Sequence, residues 1–247
     1  MKLLVLAAGY ATRLHPLTRT RAKPLLDVAG CPMIEHVLAT TRNLPSISGI
    51  EVVTNHKFAA DFETWAREYQ HRHPTSPPIT IVNDQSTDDT NKLGAIGDID
   101  HVIRTRKIDD DLLIIGGDNL FREPLDGFLA FAERTGPSVG IYDVGDLEQI
   151  KKYNNVSWNA EGRITDFEEK PAVPRSTKTA ICLYYYPRQI LPLIARYLAD
   201  RNNPDQPGRL VAWLYKQLPV YVFEIHGVWL DIGSIDSLQQ AQSLFAR

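Results

Sequence analysis

Charged side chains in this 247-residue sequence gather at a few points, each reached through small or apolar residues. The run Leu6-Ala7-Ala8-Gly9-Tyr10-Ala11-Thr12-Arg13-Leu14 continues through Pro16-Leu17-Thr18 to Lys23-Pro24-Leu25-Leu26. A strand ending in small residues lets a flat base or a phosphate approach exposed backbone N–H groups. Arg13 and Lys23 on the same loop system add two cations beside that backbone, which suits a triphosphate. No Gly-Lys-Ser/Thr follows, so this is not a Walker A loop. Asp118 ends a second apolar run, Leu112-Leu113-Ile114-Ile115-Gly116-Gly117. Ligands of open α/β sheets bind at such carboxyl ends. A single carboxylate is an ordinary share of a Mg²⁺ site, because the ion keeps waters and takes substrate phosphates. Asp118 could equally cap the turn that follows. Asp231, in Trp229-Leu230-Asp231-Ile232-Gly233-Ser234, stands just ahead of a helix start, where a carboxylate is stabilised without any metal. In Phe167-Glu168-Glu169-Lys170-Pro171 an acceptor for hydroxyls adjoins a point charge for a phosphate, or else a strand simply ends in solvent.

The elements that must carry these residues follow from periodicity. The continuous apolar run Leu3 to Leu6 suits a strand buried on both faces, and Ile50 to Val53, Ile79 to Val82, Leu112 to Ile115 and Val139 to Val144 read as further strands. Helical spacing runs through Met33, Ile34, Val37 and Leu38, through Phe58, Phe62, Trp65 and Tyr69, and through Leu125, Phe128, Leu129 and Ala132. Strands alternating with helices predict an α/β three-layer sandwich with a mostly parallel central sheet. After about residue 150 short strands dominate, at Val156 to Trp158, Arg163 to Phe167 and Ala180 to Tyr186, with Asn159-Ala160-Glu161-Gly162 as a hairpin turn. Helices return near Ile190 and Leu210, Val220 to Ile225 is a strand, and a final helix starts near Ile235. One domain is expected over 1–247, with a nucleotide half at about 1–150 and a β-rich substrate half at about 151–247.

Composition limits the classes of function. Hydrophobic residues make up 43% and charged residues 23%, so a disordered or fibrous chain is excluded. A net charge of −3 disfavours a protein that grips nucleic acid. Two distant cysteines, Cys31 and Cys182, form no zinc or disulfide framework and fit a reducing compartment. No apolar run approaches the roughly 20 residues a membrane helix needs. The apolar start is at the short limit for a signal peptide and enters a Gly/Thr/Arg turn. A cytoplasmic protein without nucleic-acid or membrane partners is expected, and a homo-oligomer is left open.

The opening run resembles the signature Leu-Ala-x-Gly-x-Gly-Thr-Arg-Leu, Pro-Leu-Thr, Pro-Lys-Pro-Leu-Leu of the sugar-phosphate nucleotidylyltransferases, of the thymidylyltransferase-like short form. The likeness extends through Gly117-Asp118-Asn119, Glu168-Glu169-Lys170-Pro171 and Trp229-x-Asp231-x-Gly233. It implies the nucleotide-diphospho-sugar transferase fold, and a reaction that joins an NTP (dTTP, UTP or CTP favoured) to a sugar 1-phosphate with release of pyrophosphate. It implies Mg²⁺ held by Asp118 and Asp231, Arg13 and Lys23 on the triphosphate, and Lys170 on the sugar phosphate. Leu6, Ala7, Ala8, Gly9, Thr12 and Asp118 would contact the nucleotide, and Glu169 the sugar hydroxyls. Because Ser234 fits the helix cap better, Asp231 is left for the metal. The loop Asn83-Asp84-Gln85 to Gly94-Ala95-Ile96-Gly97 matches a base-contacting segment. Asn83 and Gly94 are the expected contacts, with Asp84 or Asn91 as alternatives to Asn83, and Ser86 to Thr90 a mobile surface loop. No hexapeptide repeat follows the final helix, so no β-helix part is expected.

Four positions depart from the family pattern. Ala11 replaces the second signature glycine, which is tolerable if its φ is negative. Ala22 replaces a proline before Lys23. Asn154 and Cys182 stand where glycines usually let the sugar lie on the main chain, so a sugar other than glucose, or a shifted pose, is expected. A cytidylyltransferase for a non-sugar phosphate such as phosphocholine, and a non-catalytic nucleotide or sugar-phosphate sensor, are the competing readings.

Overall fold

The computed structural model describes residues 1–246. In chain order the elements are β1 (Lys2–Leu6), β2 (Asp27–Val28), β3 (Cys31–Pro32), α1 (Met33–Ala39), β4 (Gly49–Thr54), α2 (Ala59–Arg72), β5 (Ile79–Asn83), α3 (Ala95–Arg106), β6 (Leu112–Gly116), β7 (Asn119–Phe121) and α4 (Asp126–Thr135). They continue as β8 (Ser138–Asp143), α5 (Leu147–Ile150), β9 (Asn154–Trp158), β10 (Ile164–Glu169), β11 (Lys178–Tyr186), α6 (Leu191–Ala199), α7 (Pro207–Leu214), β12 (Tyr221–Glu224), β13 (Trp229–Asp231) and α8 (Ile235–Phe245).

Seven strands form one sheet in the order β12-β8-β11-β6-β1-β4-β5. All neighbours pair in parallel except β11, which runs antiparallel between β6 and β8. Successive residues of the central strands feed opposite faces, as the pleat requires. Leu3, Val5, Leu113 and Ile115 pack under α1, α2 and α4, whereas Leu4, Leu112 and Ile114 pack under α3, α6 and α7. The three-layer α/β architecture predicted from the alternating runs is thus present. Of the β-rich second half, β11 and β12 join the central sheet, and β9 with β10 makes a small separate hairpin. Its turn forms at the expected place, with Gly162 at φ +78° and its N–H bonded to Asn159 O.

Helix α3 replaces part of what the sequence suggested as loop. Ile96, Ile99 and Val102, all fully buried, are the stripe that seats it on the sheet. The residues before it are also ordered by their own bonds. Asn91 Oδ1 accepts from Thr87 N and Asp88 N, and Asp88 Oδ1 accepts from Thr90 N.

Candidate active site

The carboxyl ends of β1, β6 and the neighbouring strands open into one cleft of about 810 Å³. Its floor begins where β1 and β6 pair at Leu6 and Gly116, and Gly117 N donates to Leu6 O at 2.9 Å. Leu6, Ala8, Gly9 and Thr12 line it, with Arg13 and Lys23 beside them. Ala7 does not: pleating turns its methyl into the core, and its N–H donates to Val53 O. Ala11 stands at φ +49°, in the left-handed region, so the condition of a negative φ under which its methyl would be tolerable is not met. The Thr18 hydroxyl donates to its carbonyl at 2.8 Å and holds that bend.

Two distant carboxylates meet here. The short strands β7 and β13 pair antiparallel with Asp231 opposite Asn119, so Asp231 lies across from the residue next to Asp118. Ile232 N donates to Asp118 O at 3.2 Å and ties the two turns. Trp229 Nε1 donates to Asn119 Oδ1, and Asn119 Nδ2 donates to Asp118 Oδ1, both at 3.0 Å. Lys23 Nζ donates to Asp118 Oδ2 at 2.6 Å. Ser234 caps α8, accepting from Ser237 N, so Asp231 is spared that role.

Charge follows from these contacts. Burial pushes the Asp118 carboxyl upward, but Lys23 and Asn119 more than reverse this and hold it below the ordinary carboxylate range. Asp231 is raised by burial and then by the Asp118 charge, only partly offset by Lys23 and Arg13. Burial raises Glu169 as well, against the smaller pull of Arg209 and Lys170. Its Oε2 is sealed from solvent without a donor. Lys170 sits at φ +51°, in the left-handed region that L side chains seldom adopt, with its N–H on Tyr153 O at 2.7 Å.

Asn154 and Cys182 border the cleft. The Asn154 amide is spent on the neighbouring strand, accepting from Ala180 N at 2.7 Å and donating to Ala180 O at 3.0 Å. The Cys182 thiol is pushed well up by burial and by Asp118 and Asp231, so it stays protonated. Gly94, at φ +77°, borders the cleft; a Cβ there would meet Pro204 O at 2.7 Å. Asn83 points away, donating to His56 Nδ1 and accepting from Gln85 N. Asp84, one position on and therefore on the other face, borders the cleft instead. Asp98 of α3, absent from the sequence expectations, also borders it; the spacing of Ile96, Ile99 and Val102 was the signal for its helix.

The sequence profile of the family described as nucleotidyl transferase matches residues 2–247. The chain belongs to that family. It is thereby placed among the nucleotidyltransferase enzymes. A curated relative, the bifunctional protein GlmU of Methanocaldococcus jannaschii, is 24% identical over 235 residues, covering 94% of this chain and 51% of that protein. The chain thus spans about half the length of that relative. A Bacillus anthracis structure assigned as a glucose-1-phosphate thymidylyltransferase, in complex with a sucrose, superposes with a TM-score of 0.83 at 23% identity over 99% of this chain and 94% of that one. A UDP-glucose pyrophosphorylase complexed with UDP-glucose gives 0.82 at 20% identity, over 99% and 97%. These likenesses establish that this nucleotidyl transferase family member has the nucleotide-diphospho-sugar transferase fold. Among the described residues, no helix is long and apolar enough to cross a membrane.

Proposed function

We propose that the protein transfers a nucleotidyl group from an NTP to a sugar 1-phosphate, releasing pyrophosphate. The observation that carries this reading is the pairing of β7 with β13, which brings Asp231 to the Asp118 turn beside Lys23. Two mutually repelling carboxylates in a largely buried place call for a divalent cation, and their hard oxygen donors suit Mg²⁺. Among the described residues no group of three or more His, Cys, Asp or Glu side chains could hold a metal. A two-carboxylate share, completed by phosphates and water, is what Mg²⁺ accepts. Asp118 and Asp231 would hold it, and the ion would supply positive charge against the phosphates.

The attacking phosphate oxygen is already anionic, so no general base or protein nucleophile is needed. The chain's task is to position the reactants and neutralise charge. Gly9 and the loop to Arg13 receive the triphosphate, and Arg13 and Lys23 neutralise it and the departing pyrophosphate. Lys170 orients the attacking phosphate. Glu169, whose Oε2 has no protein donor, accepts from a sugar hydroxyl. Asn154 and Cys182 narrow the sugar end, which favours a sugar other than glucose. Incubation with Mg²⁺ and a matrix of NTPs and sugar 1-phosphates, scored by pyrophosphate release, tests the reading. Absence of release with every pair would reject it.

A further inference from the structure

At the β5 side of the cleft lies an acid that the reaction above does not use. Asp98, one turn inside α3, is 6% exposed and borders the cleft, with its N–H on Gly94 O at 2.8 Å. Its Oδ1 is sealed from solvent and receives no hydrogen bond. It lies against Asp84, whose carboxylate is already served by Ser86: Oδ1 accepts from Ser86 N at 2.7 Å, and the Ser86 hydroxyl lies 2.8 and 2.9 Å from the two oxygens. The Ser86 and Tyr10 hydroxyls meet at 3.2 Å. Asp205, from the turn before α7, also faces Asp98, and Lys92 is engaged at 3.2 Å by both Asp205 and Asp89.

Burial, then Asp84, push the Asp98 carboxyl up to about 8, so it is neutral at ordinary pH. A neutral carboxyl donates its O–H in a hydrogen bond to Asp84 and keeps one oxygen as an acceptor. The carboxylates of Asp84, Asp89 and Asp205 make this end hostile to phosphates. Arg13, Lys23 and Lys170 supply cations elsewhere in the same cleft. The part of an NTP that suits the acidic end is its uncharged base, and every common base carries an N–H donor on its pairing edge at a position that differs between bases, so a fixed acceptor can tell them apart.

We propose that Asp98, backed by Asp84, reads the nucleobase: its carboxyl accepts an N–H from the pairing edge of the bound nucleoside triphosphate. The inference rests on the nucleotidyl-transfer reading and adds the residue that sets base preference. Asp98 is a specificity residue, removed from the reacting phosphates.

The test is calorimetric binding of ATP, GTP, CTP, UTP and dTTP to wild type, Asp98→Ala and Asp98→Asn, from roughly pH 6 to pH 9. Asp98→Ala weakens the preferred nucleotide roughly tenfold and the others less, compressing the preference. Asp98→Asn keeps both the affinity and the preference, because an amide still donates to Asp84 and accepts from the base. Wild type holds or gains affinity for the preferred nucleotide above about pH 8, because an ionised carboxyl accepts an N–H more strongly than a neutral one, whereas Asp98→Asn shows no such change. Melting temperatures of both variants at or above wild type show that the fold is kept. An unchanged preference in Asp98→Ala, equal weakening of all five nucleotides, or an Asn variant that behaves like Ala would overturn the proposal. A change confined to sugar-phosphate selectivity would do the same. Pyrophosphate release that persists while the preference is unmoved sinks only the base-reading role. Failure of wild type to bind any NTP sinks the transfer reading with it.

Discussion

Lys23 Nζ and Asp118 Oδ2 lie 2.6 Å apart although their residues come from different turns of the cleft floor. The lysine side chain is 10% exposed and the aspartate 32%, so the pair is only partly shielded from water. Its loss leaves a carboxylate facing Asp231 without its cation. Replacing Lys23 with Met should therefore destabilise the fold by about 1–3 kcal/mol, below the full figure for a sealed ion pair. Adding Asp118→Asn should recover most of that loss. Thermal or urea unfolding of the two single variants and the double variant measures the coupling; strict additivity would show that the pair contributes nothing.

Asp118→Asn and Asp231→Asn should each lower pyrophosphate release by on the order of 10²–10³ or more, with Mg²⁺ affinity weakened. Asp231→Asn should be at least as stable as wild type, since burial and the Asp118 charge both oppose its ionisation. Near-normal turnover in either variant would reject the metal assignment.

The left-handed Ala11 makes a prediction about backbone strain alone. An L-residue in that region loses roughly 1–2 kcal/mol, and glycine gives back about half of this through its freer unfolded chain. Ala11→Gly should thus raise stability by about 0.5–1 kcal/mol, read as an upward shift in melting temperature. A fall would mean that the alanine methyl makes contacts worth more than the strain.

Glu169→Gln should raise KM for the sugar 1-phosphate roughly tenfold while leaving KM for the NTP nearly unchanged. Steady-state kinetics with each substrate varied in turn separates the two. Equal effects on both would place Glu169 outside the sugar end.

Asp98 also has a stability signature. Its folded pKa, about 8, lies above the unfolded carboxylate value, so its contribution to stability is complete at acid pH and lost as pH rises toward 8. At pH 8 the Asp98→Asn variant should exceed wild type by about 1–3 kcal/mol, and the gap should shrink toward about pH 5. Denaturant unfolding at both values checks the sign. A gap that widens on acidification would mean that the carboxyl is ionised in the fold.

The sequence alone carried the strand runs, the glycine-ended loop and the charged turns, because buried strands and tight turns are written in short-range composition. Leu112–Ile115 ending in Asp118 and Glu169-Lys170 after a strand were legible in that way, and so was Ser234 as the cap of the last helix. Only the folded chain decided which of these turns meet. The pairing of Asp231 with Asn119 depends on a three-residue ladder between segments far apart in sequence, too short to leave a periodic trace. Asn83 and Asp84 differ by one position, and the phase of β5 in the sheet determines which one faces the cleft. Asp98 lay just beyond the segment read as loop and was assigned to no element, because its buried stripe is brief and follows a polar stretch. The φ of Ala11 is likewise set by the packing of its loop. Local propensity specifies elements over a few residues; long-range packing alone specifies their register and approach, and the chemistry resides in that approach.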